Sequence, residues 1–193
     1  MSGPLMWFAN RGTGTVLLVL FTMSTVLGIA STGRSTSTWW PRFLTQGLHR
    51  TVGLMSSILL LAHVTTAVVD EYVDIRWFDA ILPFGSLYRP LYLSLGAFAL
   101  DLTAAVVLTG LLRSRLPLGL WRGVHLTSYA AWVVSVVHSL GIGTDVHERW
   151  FQILVIACVG VVVLAVLLRL VSGRGQDRDD APLNAPRRAR AVA

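Results

Sequence analysis

Long apolar runs, broken at intervals by clusters of polar and charged residues, set the plan of this chain. Five runs, near 13–30, 49–69, 91–112, 120–141 and 151–171, are long enough to cross a hydrocarbon layer. Such a layer is ~30 Å thick and takes about 20 residues of helix. Short strands of alternating polarity, which would build a membrane barrel, do not occur in the pattern. The expected fold is an all-α membrane protein, a bundle of five transmembrane helices. The first run ends in Gly28-Ile29-Ala30-Ser31, small residues of the kind found at leader cleavage sites. It is long for a leader and only Arg11 precedes it, so we read it as a retained helix. The resulting division is an extracytoplasmic N-terminus at 1–12, a helical domain at 13–171 and a tail at 172–193. Proline, glycine and charge crowd the tail without apolar period, which predicts disorder there.

Composition agrees with this plan. Of 193 residues, 54% are hydrophobic and only 13% charged, with a mean hydropathy of +0.64, too apolar for a soluble domain of this length. All 16 basic residues are arginine, and their distribution fixes an expected orientation. With five alternating helices, one side receives Arg11, Arg76, Arg89 and Arg149, and the other side the remaining twelve. The arginine-rich side belongs in the cytoplasm, so the N-terminus faces out and the C-terminus in. The net charge of +6 is accounted for by anionic lipid on that face, and no nucleic-acid partner is needed. Cys158 is the lone cysteine, which excludes a disulfide or thiolate cluster within one chain.

Four of the five histidines carry the candidate chemistry. His49 and His63 lie fourteen residues apart on the second run, His125 and His138 thirteen apart on the fourth. An ionisable residue within the membrane is costly and marks function by default. Each pair spans about 20 Å along its helix, too far to share one ion. Across the two parallel helices, however, each level offers facing imidazoles, the axial set of a six-coordinate haem iron. Two stacked haems between helices 2 and 4 would fill the bilayer thickness. Fourteen residues return the helix face to within about 40°, whereas thirteen leave it about 140° away. The fourth helix is therefore expected to carry an over- or under-wound turn between Leu126 and Val137, or an off-axis imidazole. His147, in an outward loop beside acidic residues, reads as an ordinary surface histidine.

The two spacings, with the phrase WRGVHLTSYAAW, resemble the ferric-reductase-like transmembrane domain. That family includes ferric reductases, the membrane domains of NADPH oxidases and the haem subunit of bacterial methionine sulfoxide repair. The resemblance covers roughly residues 10–170, and is closest to the small arginine-rich versions of actinobacteria. It implies that His49 and His125 hold an inner haem b, and His63 and His138 an outer one. Many relatives have a sixth helix, and the oxidases a flavin and nicotinamide domain; neither is found in this sequence. The chain would then be the haem subunit of an oxidoreductase, with FAD or FMN on a partner protein.

Other residues fit around these ligands. Gly53, Gly123 and Gly141 lie near the histidines, where a glycine lets a macrocycle approach the backbone. Arg50 and Arg122 border the inner pair and are placed to hold haem propionates, a role compatible with positive-inside placement. Asp101, midway along the third run, is expected to face the bundle, hydrogen-bonded to a hydroxyl or serving a proton relay. The aromatic segment 71–92 reads as an interfacial belt or as a lid over the outer haem. The leading function is transmembrane electron transfer in a bacterial plasma membrane. The donor would be a separate cytoplasmic flavoprotein, and the acceptor ferric iron, dioxygen or an extracytoplasmic flavoprotein. One alternative is a haem-binding anchor passing electrons from quinol to a methionine sulfoxide repair-type reductase. Another is a haem-free channel or scaffold whose histidines bind protons.

Overall fold

The computed structural model describes residues 3–31, 41–70, 75–84, 86 and 88–179. Five α-helices account for most of them: α1 (Gly3–Ser31), α2 (Arg42–Val69), α3 (Pro90–Leu111), α4 (Leu118–Ile142) and α5 (Arg149–Asp179). A single 3-10 turn at Arg113–Arg115 joins α3 to α4. No strand occurs among the described residues. Four of the helices, α1, α2, α3 and α5, are long and apolar enough to cross a membrane, as in a multi-pass membrane protein.

The fifth expected span is the exception. Helix α4 has 25 residues, about 37 Å of helix, so length does not set it apart. Its polarity does: Arg122, His125, Thr127, Ser128, Ser135 and His138 dilute the apolar stretch. Two boundaries also move. Helix α1 begins at Gly3, not near 13, because Leu5 to Phe8 extend its apolar run and Arg11 is neutralised by an ion pair with Asp145. Helix α5 continues past 171 to Asp179, so the first part of the expected tail is helical, and 180–193 lie outside the described residues.

Helix α1 is central, packing against α2, α4 and α5, while α3 packs along α4. The core sits where α1, α4 and α5 meet, around Leu18, Trp132, Val136, Phe151, Val155 and Cys158. Trp132 fixes the α1–α4 contact, its indole N–H donating to the Thr22 hydroxyl over 3.0 Å. That hydroxyl in turn donates to the Leu18 carbonyl at 2.8 Å, so both polar groups are satisfied where burial would otherwise penalise them. At the opposite edge Pro90 opens α3, with Arg89 before it in the left-handed region (φ 38°). A non-glycine residue held there stores strain of order 1 kcal/mol or more. The Arg89 guanidinium, however, donates to the Gly141 carbonyl at the end of α4, a charge-assisted bond that ties the two helix ends together.

Candidate functional site

In an α-helix every Cα–Cβ bond tilts toward the N-terminus, so the side chain at i+4 shields the carbonyl at i from a neighbouring helix. Glycine at i+4 uncovers it. Three histidines use such openings. His49 donates from Nδ1 to the Ser24 carbonyl at 2.9 Å, four residues before Gly28. His63 donates to the Asn10 carbonyl at 3.1 Å, four before Gly14, and His138 to the Tyr92 carbonyl at 2.7 Å, four before Gly96. Each imidazole lies against its glycine. A Cβ added to Gly96 would stand 2.5 Å from the His138 ring, one on Gly14 3.0 Å from His63, and one on Gly28 3.5 Å from His49. A carbonyl oxygen only accepts, so the proton sits on Nδ1 and the lone pair on Nε2. Metal-ligating histidines commonly carry the same bond from their other ring nitrogen to a carbonyl.

The histidines meet in two levels. At one, the rings of His49 and His125 have centroids 6.0 Å apart and planes at 77°. His125 also stacks on Trp121 (5.1 Å, 23°), and the Arg113 guanidinium lies over the same indole at 4.3 Å. The Nδ1 of His125 and Nε1 of Trp121 are buried without a hydrogen-bond partner among the described residues. At the other level His63 and His138 line one cavity of about 240 Å³, with Gly14 and Gly96 in its wall. Asn10 braces this level, donating from its side-chain amide to the His63 carbonyl at 2.9 Å. The ion pair of Arg11 with Asp145 joins α1 to the α4–α5 loop, and both residues line the same cavity.

Helix α4 is α-helical without a break from Leu118 to Ile142, so the altered turn expected between Leu126 and Val137 is not there. The thirteen-residue offset is taken up off-axis. His138 turns to α3 and its Tyr92 carbonyl, whereas His125 turns back along α4 onto Trp121.

The remaining sequence candidates are less central. Gly53 faces α1, where an added Cβ would come no nearer than 3.9 Å, to the Ser24 hydroxyl; Gly123 faces open space; Gly141 receives the Tyr92 ring. Arg50 and Arg122 are exposed on the helices that carry His49 and His125. Asp101 is exposed instead of facing the bundle, because α3 packs closely along α4 alone and leaves its other side uncovered. Of the aromatic segment, Tyr88 lines the cavity, and 71–74, 85 and 87 lie outside the described residues. The glycines that touch the histidines, Gly14, Gly28 and Gly96, were missed from sequence. The usable signal was a matched spacing: Gly14 and Gly28 are fourteen apart, like His49 and His63 on the antiparallel helix.

The loop after α2 has its own anchor. Arg76 grips Asp79 with Nε (2.9 Å), Nη2 (3.1 Å) and its backbone N–H (3.1 Å). The Arg76 side-chain hydrogen bonds hold the Asp79 carboxyl below the ordinary carboxylate range, against the upward push of burial. A depressed folded-state pKa contributes stability that is complete above the unfolded value, about 3.9, and is lost as pH falls through the folded one. The loop is therefore expected to hold from neutral pH to about 4 and to loosen below it. Fluorescence of Trp77, beside the pair, should report a step at acid pH that Asp79→Asn abolishes. An unchanged step in that variant would assign it to another group.

Comparisons with family models, with curated proteins and with solved structures found no match to this chain.

Proposed function

We propose that this chain conducts electrons across a bacterial plasma membrane through two b-type haems, as in the ferric-reductase-like domain. His49 and His125 would hold the inner haem, His63 and His138 the outer. The observation that carries this reading is the inner pair. Two imidazoles held by one iron through metal–nitrogen bonds of about 2 Å, each nitrogen about 1 Å from its ring centre, would have ring centres about 6 Å apart. The His49 and His125 centroids are 6.0 Å apart. The donor set points the same way. Each level brings together two histidines, His49 with His125 and His63 with His138, a set that would leave the remaining iron ligands to a porphyrin.

The chain's own residues do the positioning. Bonds from Nδ1 to the carbonyls of Ser24, Asn10 and Tyr92 orient three imidazoles and make them more basic ligands. The haem, when bound, supplies one-electron chemistry at each level. The arginine distribution supports placing the His49–His125 level toward the cytoplasm, with the N-terminus outside. Donor and acceptor follow from this direction: a cytoplasmic flavoprotein or a quinol on one side, and ferric iron, dioxygen or a flavoprotein on the other. The test is a pyridine haemochrome assay on purified protein. Two haem b per chain with a low-spin spectrum are expected, and folded protein without haem would leave the channel or scaffold reading.

A further inference from the structure

The two histidine levels differ in what stands behind their imidazoles. At one level both rings are seated on carbonyls: His63 donates from Nδ1 to Asn10 at 3.1 Å, and His138 to Tyr92 at 2.7 Å. At the other only His49 is seated, on the Ser24 carbonyl at 2.9 Å. The Nδ1 of His125 is buried with no hydrogen-bond partner among the described residues, and its ring lies on Trp121. An Nδ1–H given to a carbonyl makes the other ring nitrogen more basic, and a more basic axial ligand favours ferric over ferrous iron. Fixed charge acts in the same direction. The Arg113 guanidinium lies over the Trp121 indole at 4.3 Å, and Arg50 and Arg122 sit close in sequence to His49 and His125. At the His63–His138 level, by contrast, Arg11 is neutralised by Asp145, and Asp70 lines the same cavity. Unbalanced positive charge favours the reduced iron, which carries one positive charge less.

We infer that the two haems differ in midpoint potential, the one between His63 and His138 lying below the one between His49 and His125, and that Gly96 and Gly14 are the positioning residues that hold it there. This rests on the haem reading proposed above. The two glycines act through their missing Cβ, which lets each ring reach its carbonyl. A Cβ on Gly96 would stand 2.5 Å from the His138 ring and 2.7 Å from its Nδ1, too close to be accommodated, so the ring must leave the Tyr92 carbonyl. On Gly14 the nearest approach to the His63 ring is 3.0 Å, which a smaller displacement relieves. On Gly28 it is 3.5 Å from the His49 ring, an ordinary van der Waals contact. The level with two seats is therefore also the level most sensitive to a methyl group. A single electron would rest at the His49–His125 level.

The experiment is a redox titration of the full chain with haem counted per chain. His125→Ala, which should keep only the His63–His138 haem, assigns the two waves, and the lower one should be the wave it retains. Gly96→Ala should shift that lower wave upward, and Gly14→Ala should shift it the same way by less, while the upper wave stays in place in both. Arg113→Gln should lower the upper wave alone, because it removes the cation over Trp121. Gly160→Ala on α5, where an added Cβ meets open space, should match the parent. Should Gly96→Ala lose its haem altogether, Gly14→Ala carries the same test with a milder clash. A His63–His138 wave at or above the other would overturn the inference and leave the haem reading standing, as would glycine variants that keep two haems with neither wave moved. A parent protein without haem would remove both.

Discussion

Alanine at His63 or His138 is expected to halve the haem content by removing the outer haem, and alanine at His49 or His125 to remove the inner one. The expectation follows from how few contacts each level provides. On the haem reading proposed above, each level would hold its group with two imidazoles, and removing one would leave a void where a ligand had been. For His138 the void is also polar: the Tyr92 carbonyl would lose the imidazole N–H now bonded at 2.7 Å and keep only its partner within α3. Two parallel changes check the assignment. His147→Ala should leave both haems in place, since His147 is exposed in the α4–α5 loop. Double replacement of His63 and His138 should cost no more haem than either alone, because both act on one group. Loss of both haems from every single variant would mean that the levels are not independent, and full retention would exclude these side chains as ligands.

The helical plan was legible because it depends on long apolar runs, which survive any detail of packing. What the pattern could not supply were features decided by contacts between distant residues. Helix α1 runs on through Arg11, whose charge is met by Asp145, 134 residues away, and no local property of 1–12 announces that ion pair. The histidine levels were readable from spacing, since α2 and α4 run parallel; their ring positions were not. An ideal helix said only that thirteen residues misalign His125 with His138, and the resolution lies in partners on other elements, Tyr92 for one and Trp121 for the other. Glycines were judged by closeness in sequence to the histidines, which selected Gly53, Gly123 and Gly141. The ones in contact, Gly14, Gly28 and Gly96, sit on the helices opposite. Asp101 was assigned to the interior from the cost of a charge in lipid. That rule presumes α3 is surrounded, and within this chain it is not.

The electron donor offers the second large effect. Hydride transfer from a nicotinamide needs a bound flavin or a nucleotide cradle, which in known folds is a glycine-rich loop between a strand and a helix. The described residues contain no strand, and the sequence shows no such loop in that setting. On the haem reading proposed above, these 193 residues should therefore stay oxidised when NADH or NADPH is added alone, and turn fully reduced with dithionite. The contrast is close to all-or-none in the visible spectrum. Adding a cytoplasmic flavoreductase with NADPH, or a quinol without it, should restore reduction, and the one that works selects between the reductase-like and the anchor-subunit roles. Sidedness gives a further check. In vesicles with the arginine-rich face outward, a membrane-impermeant flavoreductase system should reduce the haem that His49→Ala removes before the one that His63→Ala removes. Rapid reduction by NADPH in the absence of any other polypeptide would show that this chain binds nucleotide itself, and the division of labour between a haem subunit and a separate donor would have to be abandoned.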